Sequence, residues 1–262
     1  MTPSPRTAVV LAGGQGSRLR PLTYAIPKPL LPVGNKPILE LLLEALRGHG
    51  IEEAVLATGY QSEMIEAYFR DGARVGLRIT YERETEPRGT AGPLAALRGR
   101  LVEPFVLVNG DILTRLDFGD LFRFHVERKA ALTVAVREMR WRIPYGVLEV
   151  DDTRVLGVRE KPVSSHLINA GIYVLDPEAL ARIPTEGAYD TPDLMAALAR
   201  EGRVACYRFS GFWLDVGNIR DLERATLEVA RWEANAEPED GVAEEMVDEP
   251  PVRTAGRRGS RG

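Results

Sequence analysis

The chain lacks a second cysteine, a long apolar run and an excess of basic charge. Its single cysteine, Cys206, excludes an internal disulfide, and the strand-like run around it predicts a small buried residue in a reducing compartment. No segment approaches the ~20 apolar residues that cross a bilayer, and residues 1–7 lack the apolar core of a signal peptide. We therefore expect a soluble cytoplasmic protein.

The charge balance excludes two broad classes of partner. The 38 acidic residues outnumber 34 basic ones, for a net charge of -4 and an isoelectric point near 5.6. This balance provides no chain-wide surface for nucleic acid or a membrane, so we expect any anion-binding surface to be local. The 262 residues, 44% hydrophobic, suffice for one large core or two modest ones and favour a globular domain of enzyme size.

The first half of the chain alternates strand-like and helix-like segments. Short apolar runs predict strands, and leucine repeats at helical spacing predict helices. The predicted elements are strands at 7–12, 53–58, 77–81 and 105–108, and helices at 37–47, 61–69 and 90–100. This alternation predicts a parallel sheet covered by helices, with ligands beyond the carboxyl ends of its strands. Gly13–Arg18 and Asn109–Asp111 should then lie on the same rim.

The second half predicts a mixed α/β arrangement. After a helix at 118–128, strand-like segments follow each other too closely for strand–helix–strand units, at 132–137, 146–150, 155–159 and 171–174. Helices are then predicted at 177–181, 192–200 and 219–234, with a strand at 203–209. We interpret 1–234 as one folded domain and 235–262, acidic and then rich in Arg and Gly, as a disordered tail. We find no hexapeptide repeat of the kind that builds a β-helix.

The strongest signal is the loop after the first strand. Glycines at positions 13, 14 and 16 allow backbone N–H groups to approach a phosphate, and Arg18 adds a positive charge. A Walker A loop is excluded because no Gly-Lys-Ser/Thr follows, and Leu19 stands where a dinucleotide fingerprint has glycine. A tight turn whose glycines serve geometry alone is the alternative.

A lysine braced by two prolines follows this loop. Lys28 lies between Pro27 and Pro29, and proline both fixes its own φ and disfavours helix before it. Lys28 is therefore expected on a stiff extended segment. A solvated surface lysine is the alternative.

Two segments together resemble the signature of the sugar-1-phosphate nucleotidylyltransferase family. They are Leu-Ala-Gly-Gly-x-Gly-Ser-Arg-Leu-Arg-Pro-Leu-Thr from Leu11, and Pro-Lys-Pro-Leu-Leu-Pro-Val from Pro27. The resemblance spans roughly 7–234 and implies an α/β fold, a Rossmann-like, GT-A-like nucleotidyltransferase domain with a mixed sheet flanked by helices. It implies Arg18, Lys28 and Asp111 as catalytic residues. It implies nucleotide binding by Leu11, Ala12, Gly13, Gly14, Gly16, Ser17, Arg18, Gly89, Thr90, Ala91 and Gly92.

Two aspartates are candidate ligands for Mg²⁺. Asp111 ends the apolar run Val106-Leu107-Val108-Asn109-Gly110-Asp111 on the phosphate rim, and Mg²⁺ takes one or two carboxylates together with substrate phosphates. The resemblance implies Asp215 as the second ligand, within Trp-x-Asp-x-Gly. Alone, Asp215 would more readily be interpreted as a helix N-cap.

The resemblance also implies residues for the sugar phosphate and the base. Glu160, Lys161, Gly146 and Asn169 would bind the sugar phosphate, whereas a surface ion pair at 160–161 and a plain turn at 146 are the alternatives. The segment Gly89-Thr90-Ala91-Gly92 would lie against the nucleotide. Arg88 stands where the family pattern has leucine.

The implied reaction joins a nucleoside triphosphate to a sugar 1-phosphate and releases pyrophosphate. The attacking phosphate oxygen is already an anion, so no general base is needed, and Lys28, Lys161 and Mg²⁺ would neutralise the approaching phosphates. The mannose-1-phosphate guanylyltransferase branch, using GTP, is the leading choice. Other sugar phosphates with CTP, UTP or dTTP, an inactive nucleotide-sugar-binding regulatory homologue, and a homo-oligomer remain open.

Overall fold

The computed structural model describes residues 4–234 and 244–245. The chain divides into two compact units, one built from 4–137 and 169–234 and the other from 138–168 and 244–245. The predicted tail, 235–262, therefore lies outside the described residues, apart from two residues of strand.

Strands and helices alternate along the first half of the chain, as predicted. The strands are β1 Thr7–Ala12, β2 Pro32–Val33, β3 Lys36–Pro37, β4 Glu53–Thr58, β5 Arg78–Arg83, β6 Phe105–Asn109, β7 Ile112–Thr114, β8 Leu132–Arg142, β9 Val147–Asp151, β10 Arg154–Arg159, β11 Val163–Leu175, β12 Val204–Arg208, β13 Trp213–Asp215 and β14 Glu244–Glu245. The α-helices are α1 Leu22–Ala25, α2 Ile38–Gly48, α3 Ser62–Phe69, α4 Phe118–Arg128, α5 Thr191–Arg200 and α6 Ile219–Glu233. Short 3-10 helices occupy Ser17–Leu19, Lys28–Leu30, Gly92–Leu97 and Pro177–Arg182.

The central sheet has the strand order β12-β8-β11-β6-β1-β4-β5. Strand β1 pairs in parallel with β4 on one side and β6 on the other, which confirms the predicted parallel half. Strand β11 runs antiparallel to β6, so the second half is mixed, also as predicted. The α/β class with a mixed, helix-flanked sheet is therefore correct.

Apolar side chains fill both faces of this sheet. On one face α2, α3 and α4 pack against it, and α2 buries a stripe at helical spacing: Leu39, Leu42, Leu43 and Leu46. On the other face α5 and the 3-10 helices at 92–97 and 177–182 cover it. A third cluster lies under α6 and includes Leu113 of β7 and Leu214 of β13. These layers fix the strand ends from which the candidate site residues project.

Three local predictions need correction. Segment 90–100 is a short 3-10 helix at Gly92–Leu97 rather than an α-helix, since the left-handed Gly89 and Gly99 bracket it. Strand β11 starts at Val163 rather than near Gly171. Cys206 is exposed rather than buried, because β12 is the edge strand of the sheet and its alternate side chains face solvent.

The second unit contains an antiparallel hairpin of β9 and β10. Val150 pairs with Val155 and Leu148 with Val158, with an irregularity between Val155 and Gly157. In the same unit, Glu244–Glu245 pair in parallel with Arg140–Trp141 of β8. None of the helices in the described residues is both long and apolar enough to cross a membrane.

A buried histidine in α4 predicts acid sensitivity of the fold. His125 is buried with its Nδ1 2.8 Å from Thr133 Oγ1, and burial lowers its pKa from 6.5 to about 4. In the unfolded chain His125 binds a proton below pH 6.5, whereas in the folded protein it binds one only near pH 4. Between these values the unfolded state binds more protons, so the free energy of unfolding falls as the pH falls. The slope is at most about 1.4 kcal/mol per pH unit.

Urea unfolding of the wild type and of His125→Gln over this pH range measures the effect. We expect the variant to be less stable at neutral pH but to lose less stability on acidification. Parallel pH dependences for the two proteins would contradict the assignment.

Candidate active site

Three loops meet at the carboxyl ends of β1, β4 and β6. A methyl group on Gly59, after β4, would lie 3.0 Å from the carbonyl oxygen of Gly13, after β1. The Gly110 N–H, after β6, donates to the Leu11 carbonyl at 2.8 Å, and a methyl group there would lie 2.9 Å from the same oxygen. The structure therefore confirms that the glycine loop and residues 109–111 lie on the same rim of the sheet.

The glycine loop is held against the segment that carries Lys28. Gly16 has φ +60, and a methyl group on it would lie 2.9 Å from Thr23 Cγ2 and 3.0 Å from Lys28 Cβ. The Thr23 hydroxyl donates to the Gly16 carbonyl at 2.9 Å. Gly14, in contrast, has open space where a side chain would be. The loop is therefore closely packed on one side and accessible on the other.

Lys28 is a buried cation rather than a solvated surface lysine. It begins the 3-10 helix Lys28–Leu30, so the predicted extended segment is wrong, and its side chain is only 10% exposed. Its ammonium group donates to Asp111 Oδ2 and lies 3.9 Å from Asp215 Oδ1. One lysine therefore faces both predicted metal ligands.

A two-stranded ladder brings the two aspartates together. Strands β7 and β13 are antiparallel, with Asp215 opposite Ile112. The Val216 N–H donates to the carbonyl oxygen of Asp111 at 3.1 Å. The N-cap of α6 is Asn218, whose side chain accepts from the Asp221 N–H, so the N-cap interpretation of Asp215 is wrong.

Each aspartate keeps one oxygen without a hydrogen-bond partner. Asp111 Oδ1 and Asp215 Oδ1 are buried and accept no hydrogen bond among the residues that the structure describes. Burial raises the pKa of Asp215, the Asp111 charge raises it further, and Lys28 and Arg18 oppose the shift. The described residues contain no group of three or more histidine, cysteine or acidic side chains arranged around a metal. A cation here would take two carboxylates and complete its shell with water or substrate oxygens.

Arg18 is exposed and lies beside the segment that follows Asp215. It belongs to the 3-10 helix Ser17–Leu19, and a methyl group on Gly217 would lie 3.2 Å from its Nη1 atom. The absence of a side chain at Gly217 therefore leaves room for the guanidinium beside the segment that follows Asp215.

A cavity of about 320 Å³ opens beside the glycine loop. Residues from four sequence motifs line it: the glycine loop, the Lys28 segment, the Gly89–Gly92 loop and Asn109–Asp111. Glu84, which was not among the predicted site residues, lines it as well. The lining includes Leu11, Ala12, Gly13, Gly14, Lys28, Glu84, Arg88, Gly89, Thr90, Asn109 and Asp111. Glu84 accepts the Arg88 N–H at 3.2 Å, and burial raises its pKa. Its sequence signal is its place as the glutamate of the family-like pattern Glu-x-x-Pro-x-Gly-Thr-Ala-Gly, which begins at Glu84.

Asp190 holds the loop Gly89–Gly92, which is predicted to lie against the nucleotide base and is called the base-side loop. Its Oδ1 accepts the Thr90 N–H at 2.8 Å and the Thr90 hydroxyl at 3.1 Å. The Ala91 N–H donates to the Tyr189 carbonyl at 2.9 Å. Arg88 donates to the Thr185 carbonyl at 2.6 Å, so an arginine is accommodated where the family pattern has leucine.

A second cavity, of about 230 Å³, shares Thr90 and Asn109 with the first. Asn169 and Asp215 also line it. The Asn169 amide donates to the Tyr173 hydroxyl at 2.8 Å, and its oxygen accepts the Gly171 N–H at 2.9 Å. Two hydrogen bonds therefore hold Asn169 in place in the cavity that adjoins the glycine-loop cavity.

The other three predicted sugar-phosphate residues belong to the second unit. A methyl group on Gly146 would lie 3.0 Å from Glu160 Oε2, so these two residues are neighbours. Lys161 is exposed and has φ +44. All three residues are exposed, which agrees with ligand binding and equally with the alternatives, a surface ion pair at 160–161 and a plain turn at 146.

Comparison with known proteins identifies relatives over most of the chain. Residues 7–231 match the family described as Nucleotidyl transferase. Among curated proteins, "Probable mannose-1-phosphate guanylyltransferase 1" of Oryza sativa subsp. japonica and "Mannose-1-phosphate guanylyltransferase catalytic subunit beta" of Danio rerio are each 38% identical over 223 residues. Each alignment covers 82% of this chain but 62% of the relative, so the chain spans less than two thirds of these proteins.

Solved structures share the fold. A putative glucose-1-phosphate thymidylyltransferase from Bacillus anthracis has a TM-score of 0.70 at 24% identity, covering 86% of this chain and 95% of that one. HddC from Yersinia pseudotuberculosis complexed with GMP-PN has a TM-score of 0.65 at 23% identity, covering 86% and 99%. At this level of identity the likeness concerns the fold alone.

Two left-handed glycines allow a matched test of the base-side loop. Gly89 and Gly99 have similar φ values, +76 and +73. A methyl group on Gly89 would lie 2.7 Å from the Tyr189 carbonyl oxygen, whereas one on Gly99 would have no heavy atom within 4 Å. We expect Gly99→Ala to lower the free energy of unfolding by about 1 kcal/mol and Gly89→Ala by more than about 2 kcal/mol. Urea unfolding measures both. Equal losses of unfolding free energy in the two variants would contradict the steric limit that the Tyr189 carbonyl places on residue 89.

Proposed function

The chain belongs to the nucleotidyl transferase family, and on that premise we propose that it transfers GMP from GTP to mannose 1-phosphate, forming GDP-mannose and pyrophosphate. The observation that carries this proposal is the cluster of Lys28, Asp111 and Asp215: Lys28 and Asp111 line the glycine-loop cavity, and Asp215 lines the adjoining one. The 38% identical mannose-1-phosphate guanylyltransferases support the choice of substrates. The free thiol supports a cytoplasmic location.

Glycine-loop residues bind the triphosphate in this proposal. The open face of the loop at Gly14 presents backbone N–H groups to phosphate oxygens, and Arg18 and Lys28 supply fixed positive charge. The attacking oxygen belongs to an anionic phosphate, so the protein orients two anions and offsets their repulsion rather than removing a proton.

Asp111 and Asp215 are the residues that would hold Mg²⁺. Their unpartnered buried oxygens fit a hard cation, which accepts carboxylate oxygens together with substrate phosphates. When bound, Mg²⁺ supplies charge neutralisation between the phosphates of the two substrates. Lys28 forms ion pairs with both carboxylates, and its positive charge offsets their mutual repulsion before substrate enters.

Glu84 supports guanine as the base. Guanine presents two adjacent N–H donors, at N1 and N2, and a carboxylate accepts such a pair in parallel. Glu84 lines the cavity with one oxygen accepting the Arg88 N–H, while a methyl group on Gly13 would lie 3.1 Å from the other. Uracil and thymine offer one N–H between two carbonyl oxygens, which suits a carboxylate poorly.

The sugar phosphate is proposed to bind on the Asn169 side. Asn169 lines the cavity that adjoins the glycine-loop cavity, where Asp215 also lies. Glu160 and Lys161, with Gly146 beside Glu160, are proposed to contact the sugar hydroxyls and the phosphate respectively.

Pyrophosphate release tests the reaction. The full chain is incubated with Mg²⁺, each of four nucleoside triphosphates and a panel of sugar 1-phosphates, with Asp111→Asn as the variant and Asp117→Asn, an exposed helix N-cap, as the control. We expect release with GTP and mannose 1-phosphate, reduced on the order of 10²- to 10³-fold in Asp111→Asn. Absence of turnover with every pair, despite nucleotide-sugar binding, would favour a regulatory homologue.

Base preference gives a separate prediction. Glu84→Gln replaces one acceptor by an amide N–H donor, which clashes with guanine but suits the carbonyl and N–H pair of uracil. We expect kcat/KM for GTP to fall by roughly 10²-fold while the ratio of UTP to GTP use rises.

Glu82→Gln is the matched control, because Glu82 is paired with Arg100 rather than facing the cavity. It should leave the base preference unchanged. A uniform loss for all bases in Glu84→Gln would contradict the role in reading guanine.

A further inference from the structure

Arg88 lines the glycine-loop cavity beside Glu84, the carboxylate that is proposed to bind guanine. The Arg88 N–H donates to Glu84 Oε1 at 3.2 Å, so the two residues are in direct contact. Burial raises the pKa of Glu84, and the hydrogen bond and the positive charge of Arg88 oppose that shift. The cavity therefore presents an acidic and a basic side chain next to each other. The basic one is a departure from the family pattern, which has leucine at this position.

The backbone of Arg88 is held in place from several sides. Besides the bond from its N–H to Glu84, its carbonyl oxygen accepts the Tyr189 N–H at 2.9 Å. A methyl group on Gly92 would overlap the Arg88 Cβ atom, so the absence of a side chain at Gly92 makes room for the start of the Arg88 side chain. The point from which the guanidinium extends is therefore well defined.

The protein itself uses only part of the Arg88 guanidinium. Its Nη2 atom donates to the Thr185 carbonyl at 2.6 Å and lies 3.5 Å from the Pro184 carbonyl. Within the described part of the chain, its Nε and Nη1 groups have no hydrogen-bond partner. Arginine presents its N–H donors in a rigid planar fork, and Arg88 is only half-buried. The Nε and Nη1 donors are therefore available to a ligand in the cavity.

We propose that Arg88 reads the O6 and N7 atoms of guanine, beside the N1 and N2 donors that Glu84 accepts, a role that rests on the proposed use of GTP. Along one side of guanine the N2 and N1 groups donate, and the adjacent O6 and N7 atoms accept. A carboxylate next to a guanidinium offers acceptors and then donors in the same order. Arginine is also the side chain that most often contacts O6 and N7 of guanine in specific recognition.

The same pair of side chains disfavours adenine. Adenine carries an N–H donor at N6, where guanine has the O6 acceptor, and its N1 atom is an acceptor. Arg88 would then face a donor and Glu84 an acceptor, so both contacts would be lost and polar groups would be left unpaired. Glu84 and Arg88 together therefore distinguish the two purines.

Binding of modified nucleotides to the full chain tests the role of Arg88. The probes are GTP, 7-deaza-GTP, in which a C–H group replaces N7, and ITP, which lacks the N2 amino group. Isothermal titration calorimetry with Mg²⁺ and without sugar phosphate gives each dissociation constant. We expect the wild type to bind 7-deaza-GTP about 10-fold more weakly than GTP, because one hydrogen bond from a charged donor is lost.

Arg88→Leu, which restores the residue of the family pattern, should remove this discrimination. We expect the variant to bind GTP and 7-deaza-GTP about equally, both roughly as weakly as the wild type binds 7-deaza-GTP or more so. Its ratio of ITP to GTP affinity should stay that of the wild type, because the N2 group faces Glu84. Arg88→Lys keeps a charged donor and should retain part of the preference for GTP over 7-deaza-GTP.

Arg100→Leu is the matched control, because Arg100 pairs with Glu82 and does not line the cavity. It should leave all the dissociation constants unchanged. If Arg88 acted only by holding the 184–185 segment, Arg88→Leu would weaken binding of every probe by the same factor, and that result would overturn the proposal. Equal affinity of the wild type for GTP and 7-deaza-GTP would overturn it too.

Calorimetry needs no turnover, so the result is separate from the proposed reaction. Pyrophosphate release from GTP together with an unchanged ratio in Arg88→Leu would leave the reaction standing and refute the role of Arg88. Discrimination at N7 that depends on Arg88, without turnover, would do the reverse. A wild type that binds no GTP would contradict both.

Discussion

The candidate site depends on one cation placed between two carboxylates. Asp111 and Asp215 come from segments about a hundred residues apart, and both are removed from full solvation. Two such charges side by side are unfavourable without a positive partner. Lys28, presented by a proline-flanked 3-10 helix, provides it. The glycines at 16, 59 and 110 serve this arrangement, because their missing side chains let the three strand ends approach each other and the Lys28 segment.

The proposed phosphoryl transfer needs no histidine. His125 is buried against Thr133, and His49 lies by Asp117 at the start of α4. Neither lines the cavities beside the glycine loop among the residues described. Phosphoryl transfer to an oxygen that is already ionised calls for positioning and charge rather than a general base. The site carries arginine, lysine and carboxylates, the residue types that this task requires.

Local sequence patterns predicted the first half of the sheet, the glycine loop and the meeting of its rim residues. These predictions succeeded because short apolar runs that end in glycine or polar residues determine where strands end. Contacts between distant segments left no such pattern. Asp190 holds Thr90 across a separation of 100 residues, and Glu84 enters the cavity from an irregular segment. The short 3-10 helix at Gly92–Leu97 and the exposure of Cys206 likewise follow from tertiary placement rather than local propensity.

The measurement that tests the central claim most directly follows the α-phosphate of GTP. GTP labelled at the α-phosphorus is incubated with the full chain, Mg²⁺ and mannose 1-phosphate, and products and protein are separated. Direct attack by the sugar phosphate predicts label in the nucleotide sugar, an equal amount of unlabelled pyrophosphate and no label on the protein. Label found on the protein, or only in free GMP, would contradict a site built to bring two phosphates together without a protein nucleophile.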